Sequence, residues 1–285
     1  MKPAKFRYYR ASNLAEAIHL LAEAGDDARV LGGGQSLVPM MNFRSAQPGA
    51  LVDITACHDL QYVRLEDGVV SIGAATPQLV AQRDEIVLER LPLMSKALER
   101  AGPRPVRNRA TVGGGLANGY PMGHLVCVAK CLEAEIRLVS RAGERVLAAA
   151  DFFLDALSTD LAAGELLHEV RFPAAKPGDR CDFQELGNHR SGTAVVMLAS
   201  QLTCNDAGQS LARFGLAGVL GVPIRLPAVE ALIGRPFDHQ ETADAIDTDL
   251  VAAGYEDDPG DKTKQYARQV APYLIGKARA ALAIA

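Results

Sequence analysis

Two glycine-rich segments constrain the fold of this 285-residue chain more than any other feature. The first glycine segment, Gly32-Gly33-Gly34-Gln35-Ser36, follows a strand-like stretch at 28–31. The second, Thr111-Val112-Gly113-Gly114-Gly115, lies where one regular element gives way to another. Glycine has no Cβ, so backbone N–H groups there can approach an anion closely. Each segment is predicted to be a turn with accessible main-chain donors.

The pair indicates more than either segment alone. A single glycine turn is weak evidence for a ligand, but three consecutive glycines at 113–115 are entropically costly at a plain strand end. Two such turns in separate subdomains favour a ligand with two phosphates, such as a dinucleotide. Neither segment matches the G-x-G-x-x-G motif with its acidic residue about twenty positions on, nor a P-loop, which disfavours a Rossmann fold.

Composition excludes several classes of protein. The net charge of −4 leaves no basic footprint for nucleic acid. The N-terminus has basic residues without an apolar stretch behind them, and no apolar run approaches a membrane span, so neither a signal peptide nor a membrane segment is expected. Five widely spaced cysteines fit free thiols in a reducing cytoplasm. We therefore expect a cytoplasmic protein without nucleic-acid or membrane partners.

Side chains suited to catalysis or metal binding are scarce. Cys127 and Cys131 share a helix face at i, i+4, but no CxxC pair or zinc-type His spacing accompanies them, so buried thiols are expected. Ser36 lacks the G-x-S-x-G context of a nucleophile. We predict no metal site and no catalytic side chain. His124, nine residues past the second glycine segment, could contact a ligand or simply begin a helix.

The chain divides into three predicted units. Residues 1–55 alternate helix and strand, and residues 56–175 contain a hairpin signal at Asp67-Gly68. The Pro-Ala-Ala-Lys-Pro-Gly-Asp stretch at 173–179 reads as a linker. Strand-like stretches followed by helical patterns then fill residues 178–285, which predicts an α+β unit.

Several segments resemble the FAD-binding medium subunit of molybdenum hydroxylases, the family of carbon monoxide, xanthine and nicotine dehydrogenases. Residues 31–40 resemble its AGGQSLLPLM segment, residues 107–117 its IRNRGTIGGNLA segment, and residues 161–173 a strand with the pattern GELL. The chain departs from the family at 119–126, where Gly-Tyr-Pro-Met-Gly-His-Leu-Val replaces ADPAADLP. His124 thus stands where the family has an aspartate that contacts the flavin.

The resemblance implies an α+β protein with the vanillyl-alcohol-oxidase-like (PCMH-type) FAD-binding fold. Its parts would be two α/β subdomains, 1–55 and 56–175, and a C-terminal domain of the carbon monoxide dehydrogenase flavoprotein type, 178–285. Electrons would reach FAD from a [2Fe–2S] small subunit of a complex whose large subunit carries molybdopterin, and leave to a terminal acceptor. The implied FAD-binding residues are Gly32, Gly33, Gly34, Gln35, Ser36, Thr111, Val112, Gly113, Gly114, Gly115, Asn118, His124 and Leu161, with the glycine segments acting largely through main-chain N–H groups.

Two alternatives stay open at this point. The chain could be a stand-alone FAD-dependent oxidoreductase acting on a small molecule, with His124 or His189 as acid or base. It could also be a scaffold subunit that has lost FAD. Purification with or without flavin, and turnover by the isolated chain, would separate the three.

Overall fold

A three-stranded parallel sheet organises the N-terminal part of the chain. The computed structural model describes residues 2–187, 194–204, 210–258 and 260–283. Its first sheet has the strand order β1-β3-β2, and every residue of the central strand β3 is buried, as expected for a parallel strand covered on both faces. The elements are β1 (Arg7–Arg10), α1 (Leu14–Ala24), β2 (Ala28–Leu31), α2 (Leu37–Asn42) and β3 (Ala50–Asp53).

A five-stranded antiparallel sheet follows, with the order β4-β5-β10-β6-β7. The predicted hairpin at Asp67-Gly68 is confirmed: both residues have positive φ, +48° and +76°, and they join β4 to β5. A short 3-10 helix (His58–Leu60) precedes this sheet. The elements are β4 (Val63–Glu66), β5 (Val69–Gly73), α3 (Gln78–Arg83), α4 (Glu85–Arg90), α5 (Pro92–Arg100), α6 (Arg104–Arg107), α7 (Val112–Ala117), α8 (His124–Cys131), β6 (Glu135–Ser140), β7 (Gly143–Ala148), α9 (Ala149–Phe152), β8 (Phe153–Asp155), β9 (Ser158–Thr159) and β10 (Leu166–Pro173).

The second glycine segment differs from the predicted turn. Thr111 is the N-cap of α7, and its Oγ1 accepts a hydrogen bond from the Gly114 N–H at 3.0 Å, so the three glycines lie inside a short helix. Close packing explains their presence there. A Cβ atom on Gly113 would lie 2.7 Å from the Cα of Ala74, a distance that real Cβ atoms do not tolerate. Only glycine allows α7 to sit so close to the chain after β5.

An antiparallel four-stranded sheet and three helices form the C-terminal part. Its strands are paired in sequence order. Asp238 begins the second helix with a capping box: its carboxylate accepts from the Glu241 N–H, and the Glu241 side chain accepts from the Asp238 N–H. The elements are β11 (Arg180–Gly187), β12 (Ala194–Cys204), β13 (Ser210–Ala217), β14 (Ile224–Arg225), α10 (Pro227–Glu230), α11 (His239–Ala252) and α12 (Lys262–Leu282).

Helix α8 holds the C-terminal sheet against the middle of the chain. The Cys127 thiol donates to the Gly215 carbonyl at 3.3 Å, and the Cys131 thiol to the Ala199 carbonyl at 3.4 Å. Burial raises the pKa of Cys127 to about 12, so this thiol stays protonated. Both cysteines are fully buried and belong to one hydrophobic cluster with Phe183 and Met197. They are packing residues of the seam between α8 and the sheet.

Two features are absent from the described residues. In the ranges given above, no helix is both long and apolar enough to cross a bilayer. Over the same ranges, no three His, Cys, Asp or Glu side chains lie in a group that could hold a metal ion.

The seam predicts opposite effects for two Gly→Ala substitutions. A Cβ on Gly215 would lie 2.8 Å from the Cβ of Cys131 and 2.9 Å from the Cys127 carbonyl oxygen, so Gly215→Ala should lower the free energy of unfolding by about 1–3 kcal/mol through overpacking. Gly276, exposed within α12, has no atom near its missing Cβ, so Gly276→Ala should raise it by up to about 1 kcal/mol. Thermal unfolding followed by circular dichroism measures both. An unchanged unfolding midpoint for Gly215→Ala would contradict the close packing of Gly215 against α8.

Candidate functional site

The two glycine segments meet in the folded chain. Gly33 is buried against the residues just before the second segment: a Cβ there would overlap the carbonyl of Arg109 and lie 2.7 Å from the Cα of Ala110. A Cβ on Gly32 would lie 2.8 Å from Thr111 Oγ1. The glycines of the first segment are therefore required by backbone-to-backbone contact between the two segments.

The main-chain N–H groups of the two segments differ in their partners. In the second segment the four N–H groups of 112–115 all donate within the chain, to Thr76 O, Ala74 O, Thr111 Oγ1 and Thr111 O at 2.9–3.0 Å. In the first segment, the five N–H groups of 32–36 donate to no acceptor in the described residues. Buried N–H groups nearly always have a partner, and Gly33 is buried. Five successive free donors form a site suited to an anion.

A cleft of about 340 Å³ opens beside the first glycine segment. This volume lies in the range of small-molecule sites. Its walls come from β2, the first segment, α2, the end of β3 and Arg109, which lies two residues before the second segment. The lining residues are Leu31, Gly32, Gly33, Gly34, Gln35, Val38, Pro39, Asp53, Thr55 and Arg109.

Arg109 is the single cationic residue of this lining. It is exposed, and within the described part of the chain its guanidinium takes part in no ion pair and donates no hydrogen bond. In the sequence, Arg109 stands out only as a member of the segment 107–117. The available signal was its position two residues before the second glycine segment. From there a cationic side chain can reach an anion that is bound at a glycine segment.

Asp53, the one carboxylate of the lining, was also missed. It ends β3 and is the register partner of Leu31, the residue just before the first glycine segment. The carboxyl ends of parallel strands are where open α/β sheets bind ligands. The available signal was spacing, because Asp53 lies 21 positions after Gly32, close to the interval of the acidic residue in dinucleotide-binding units.

His124 begins α8 and lies beside the second glycine segment. The next residue, Leu125, would be 3.3 Å from a Cβ on Gly115. His124 Nε2 is 3.1 Å from Glu185 Oε2, and its ring stacks on Phe183 at 5.5 Å between centroids. Burial lowers the pKa of His124, although the hydrogen bond to Glu185 opposes this. Because a carboxylate only accepts, Nε2 of the neutral ring is assigned the proton, which leaves Nδ1 as an acceptor.

The remaining expected site residues lie in two places. Gln35 folds back so that its Nε2 donates to the Gly33 carbonyl at 3.2 Å, and the exposed Ser36 makes no capping hydrogen bond to α2. Asn118 is the C-cap of α7. Leu161 is half-buried in the loop after β9. On the other side of β9, the Leu157 N–H donates to the Gly119 carbonyl at 2.9 Å.

The structure thus separates the expected residues into two groups. Gly32, Gly33, Gly34 and Gln35 line the cleft at the first segment, which also contacts Thr111, and Ser36 follows at the start of α2. Asn118, His124 and Leu161 do not line that cleft and cluster instead around α7, α8 and the β8–β9 hairpin. His189 lies outside the described residues. A long ligand with a central diphosphate could reach both groups, with the diphosphate at the free N–H groups.

A second cavity, of about 440 Å³, lies between α11 and α12. Its cation, Arg268, forms a two-pronged ion pair with Asp247, with both N···O distances 2.7 Å. The charged groups in this cavity already pair with each other. The smaller cleft at the glycine segments, with its free donors, is the better candidate site.

The residues of the cleft fit FAD. Its diphosphate needs hydrogen-bond donors and a compensating cation, and the first segment with Arg109 offers both. The free main-chain donors of the first segment thus suit the anionic centre of this cofactor.

Comparison with known proteins agrees with this geometry. Residues 4–175 match the model of the FAD binding domain in molybdopterin dehydrogenase. The chain is 35% identical to the caffeine dehydrogenase subunit beta of Pseudomonas sp. (strain CBB1) over 86% of this chain and 83% of that one. It is 34% identical to the carbon monoxide dehydrogenase medium chain of Hydrogenophaga pseudoflava over 87% and 86%.

Solved structures confirm the fold class. The carbon monoxide dehydrogenase from Hydrogenophaga pseudoflava that lacks the Mo-pyranopterin moiety superposes with a TM-score of 0.88 at 32% identity, covering 99% of this chain and 98% of that one. Quinoline 2-oxidoreductase from Pseudomonas putida 86 gives 0.85 at 30% identity, over 99% and 100%. The PCMH-type FAD-binding fold that the family resemblance implies is therefore confirmed. With its cleft and these relatives, the chain belongs to the family of FAD-binding subunits of molybdopterin dehydrogenases.

Proposed function

We propose that this chain is the electron-transfer subunit of a cytoplasmic molybdenum hydroxylase. Its partners would be a small subunit with [2Fe–2S] clusters and a large subunit with molybdopterin. Electrons would pass from the clusters through this subunit to a terminal acceptor. The chemistry that bound FAD supplies is electron storage and transfer. The chain's own residues bind FAD, orient it and set its surroundings.

The run of free N–H groups in the first glycine segment is the observation that carries this proposal. We infer that the N–H groups of 32–36 donate to the diphosphate, since no acceptor in the described chain uses them. The second segment, whose N–H groups at 112–115 are already bonded, would act mainly as the wall that holds the first segment in place. Thr111 would take part through its own N–H and through contact with Gly32.

Arg109 would supply the compensating charge. The diphosphate carries two negative charges, and Asp53 adds a third to the cleft. With one cation among the lining residues, Coulomb attraction at short range favours a guanidinium on the phosphate oxygens. Arginine also binds phosphate in a two-pronged manner. Arg109 is therefore added to the expected FAD-binding residues.

The second group of residues would surround a more distant part of FAD. Neutral His124 offers an acceptor at Nδ1, while Glu185 and Phe183 keep its ring in place. Asn118 and Leu161 lie on the neighbouring loops. Asn118 and Leu161 offer neither a nucleophile nor an ionisable group that His124 could activate. We therefore propose no catalytic residue in this chain.

The test of this function starts from the purified chain. We expect a yellow protein that contains one FAD per chain, identified after acid release. In the complex with its two partner subunits, reduction of the [2Fe–2S] clusters should be followed by reduction of a terminal acceptor only when this subunit carries FAD. Two results would contradict the proposal: no flavin bound even after FAD is added, or substrate oxidation by the isolated chain at the rate of the complex.

Gly33→Ala should weaken FAD binding through the packing of the two segments. The new Cβ would overlap the Arg109 carbonyl, so the first segment must move away and its N–H groups with it. We expect the Kd for FAD to rise roughly tenfold to hundredfold. Equilibrium binding followed by flavin fluorescence measures it, and Gly276→Ala, remote and unhindered, should leave it unchanged. A Kd within twofold of the wild-type value in folded Gly33→Ala would refute the placement.

Arg109→Gln should weaken FAD binding in a salt-dependent way. Loss of one charge-assisted hydrogen bond to phosphate should raise the Kd roughly tenfold at low salt, with a smaller difference at high salt because ions screen the wild-type attraction. Arg104→Gln is the matched control, since Arg104 is exposed on α6 nearby and does not line the cleft. Equal salt slopes for Arg109→Gln and the wild type would show that Arg109 does not face the diphosphate.

A further inference from the structure

The carboxylate of Asp53 is unusual among the cleft residues because it is anionic beside an anion site. It ends β3, the central strand of the parallel sheet, and pairs in register with Leu31. The Ile54 N–H donates to the Leu31 carbonyl at 3.0 Å, which holds the end of β3 against the start of the first glycine segment. Asp53 is 8% exposed, so its carboxylate reaches the cleft only at one edge.

Two neighbours hold this carboxylate in one orientation. Oδ2 accepts from the Tyr8 hydroxyl at 2.5 Å, and Oδ1 accepts from the Thr55 N–H and hydroxyl at 2.8 and 2.6 Å. Burial raises the pKa of Asp53, but the hydrogen bonds from Thr55 and Tyr8 outweigh it and keep the pKa below its usual value. Asp53 is therefore ionised. A carboxylate has about four acceptor positions, so one remains free on Oδ2.

The charge of this free position decides what it can bind. A phosphate oxygen is excluded because two anions repel at close range. The partner must be a neutral donor on the same ligand, close to the diphosphate. In FAD the groups next to the diphosphate are the two sugar chains, the adenosine ribose and the ribityl chain, and both carry hydroxyls.

The order of elements selects between the two sugars. Strand β2, the glycine segment, α2, and then β3 ending in Asp53 form one βαβ unit with adjacent parallel strands. In dinucleotide-binding βαβ units, an acidic residue at the end of the second strand, about 20 positions on, accepts from the adenosine ribose. Here the interval from Gly32 to Asp53 is 21 positions, although the glycine motif itself differs.

We propose that Asp53 accepts a hydrogen bond from a hydroxyl of the adenosine ribose of FAD, with Tyr8 and Thr55 as positioning residues. This inference rests on the proposed FAD site. It gives the chain a contact that distinguishes FAD from FMN, which has no adenosine. The first segment then binds the diphosphate, and the neighbouring strand end binds the sugar on its adenosine side.

The test pairs protein variants with cofactor analogues. The Kd is measured for FAD and for FAD whose adenosine ribose lacks the 2′- or the 3′-hydroxyl. For the wild type, one of the two analogues should bind roughly tenfold to hundredfold more weakly, the usual range for a lost hydrogen bond to a charged group. In Asp53→Asn that ratio should fall below about threefold. Asp59→Asn, a carboxylate that bonds Leu14 outside the cleft, should keep the wild-type ratio.

Each outcome bears on one claim. Wild-type ratios near one for both analogues, or the full ratio in Asp53→Asn, would overturn the ribose contact while leaving the FAD site intact. If the chain binds no FAD at all, the proposed function itself fails. FMN binding weakened by Asp53→Asn as much as FAD binding would place the carboxylate at the ribityl chain and also overturn the inference. Should Asp53→Asn not fold, Asp53→Ser, which also removes the charge and has a smaller side chain than aspartate, takes its place.

Discussion

The contact between the backbone at Gly33 and the backbone at Arg109 and Ala110 is the constraint on which the site depends. It brings a parallel α/β unit against an antiparallel one, with no side chain between them. Once the two segments touch, the N–H groups of the first face a cleft and Arg109 stands at its rim. A Cβ at Gly33 would push the two segments apart and change the shape of the cleft. Packing therefore requires glycine at this position, and the same contact shapes the binding surface.

The two glycine segments are similar in sequence, but their main-chain N–H groups have different partners. In the second, glycines allow a short helix to lie directly on the chain around Ala74, and its N–H groups are used up in doing so. In the first, the chain neither continues the strand nor enters a helix, so five N–H groups have no acceptor in the described residues. Glycine permits close approach in both cases. Whether the N–H groups stay available to a ligand depends on whether the neighbouring backbone offers them acceptors.

Local signals predicted much of the fold. The strand at 28–31 running into glycine, the Asp67-Gly68 hairpin and the family resemblance all follow from residues close in sequence. The site was harder to predict, because its features depend on distant partners. The acceptors that use the N–H groups of Val112 and Gly113 lie near residue 75, the role of Asp53 depends on its register with Leu31, and His124 meets Glu185 61 positions away. No spacing rule within one segment contains that information.

The most direct test of this account is amide hydrogen exchange at residue resolution, with and without FAD. Free N–H groups at 32–36 should exchange rapidly in the chain without cofactor and slow by at least about tenfold when FAD is bound, because the diphosphate becomes their acceptor. The N–H groups of 112–115, already bonded, should be protected in both states. Protection that appears at 112–115 alone, with 32–36 unchanged by FAD, would contradict the central claim that the first glycine segment holds the diphosphate.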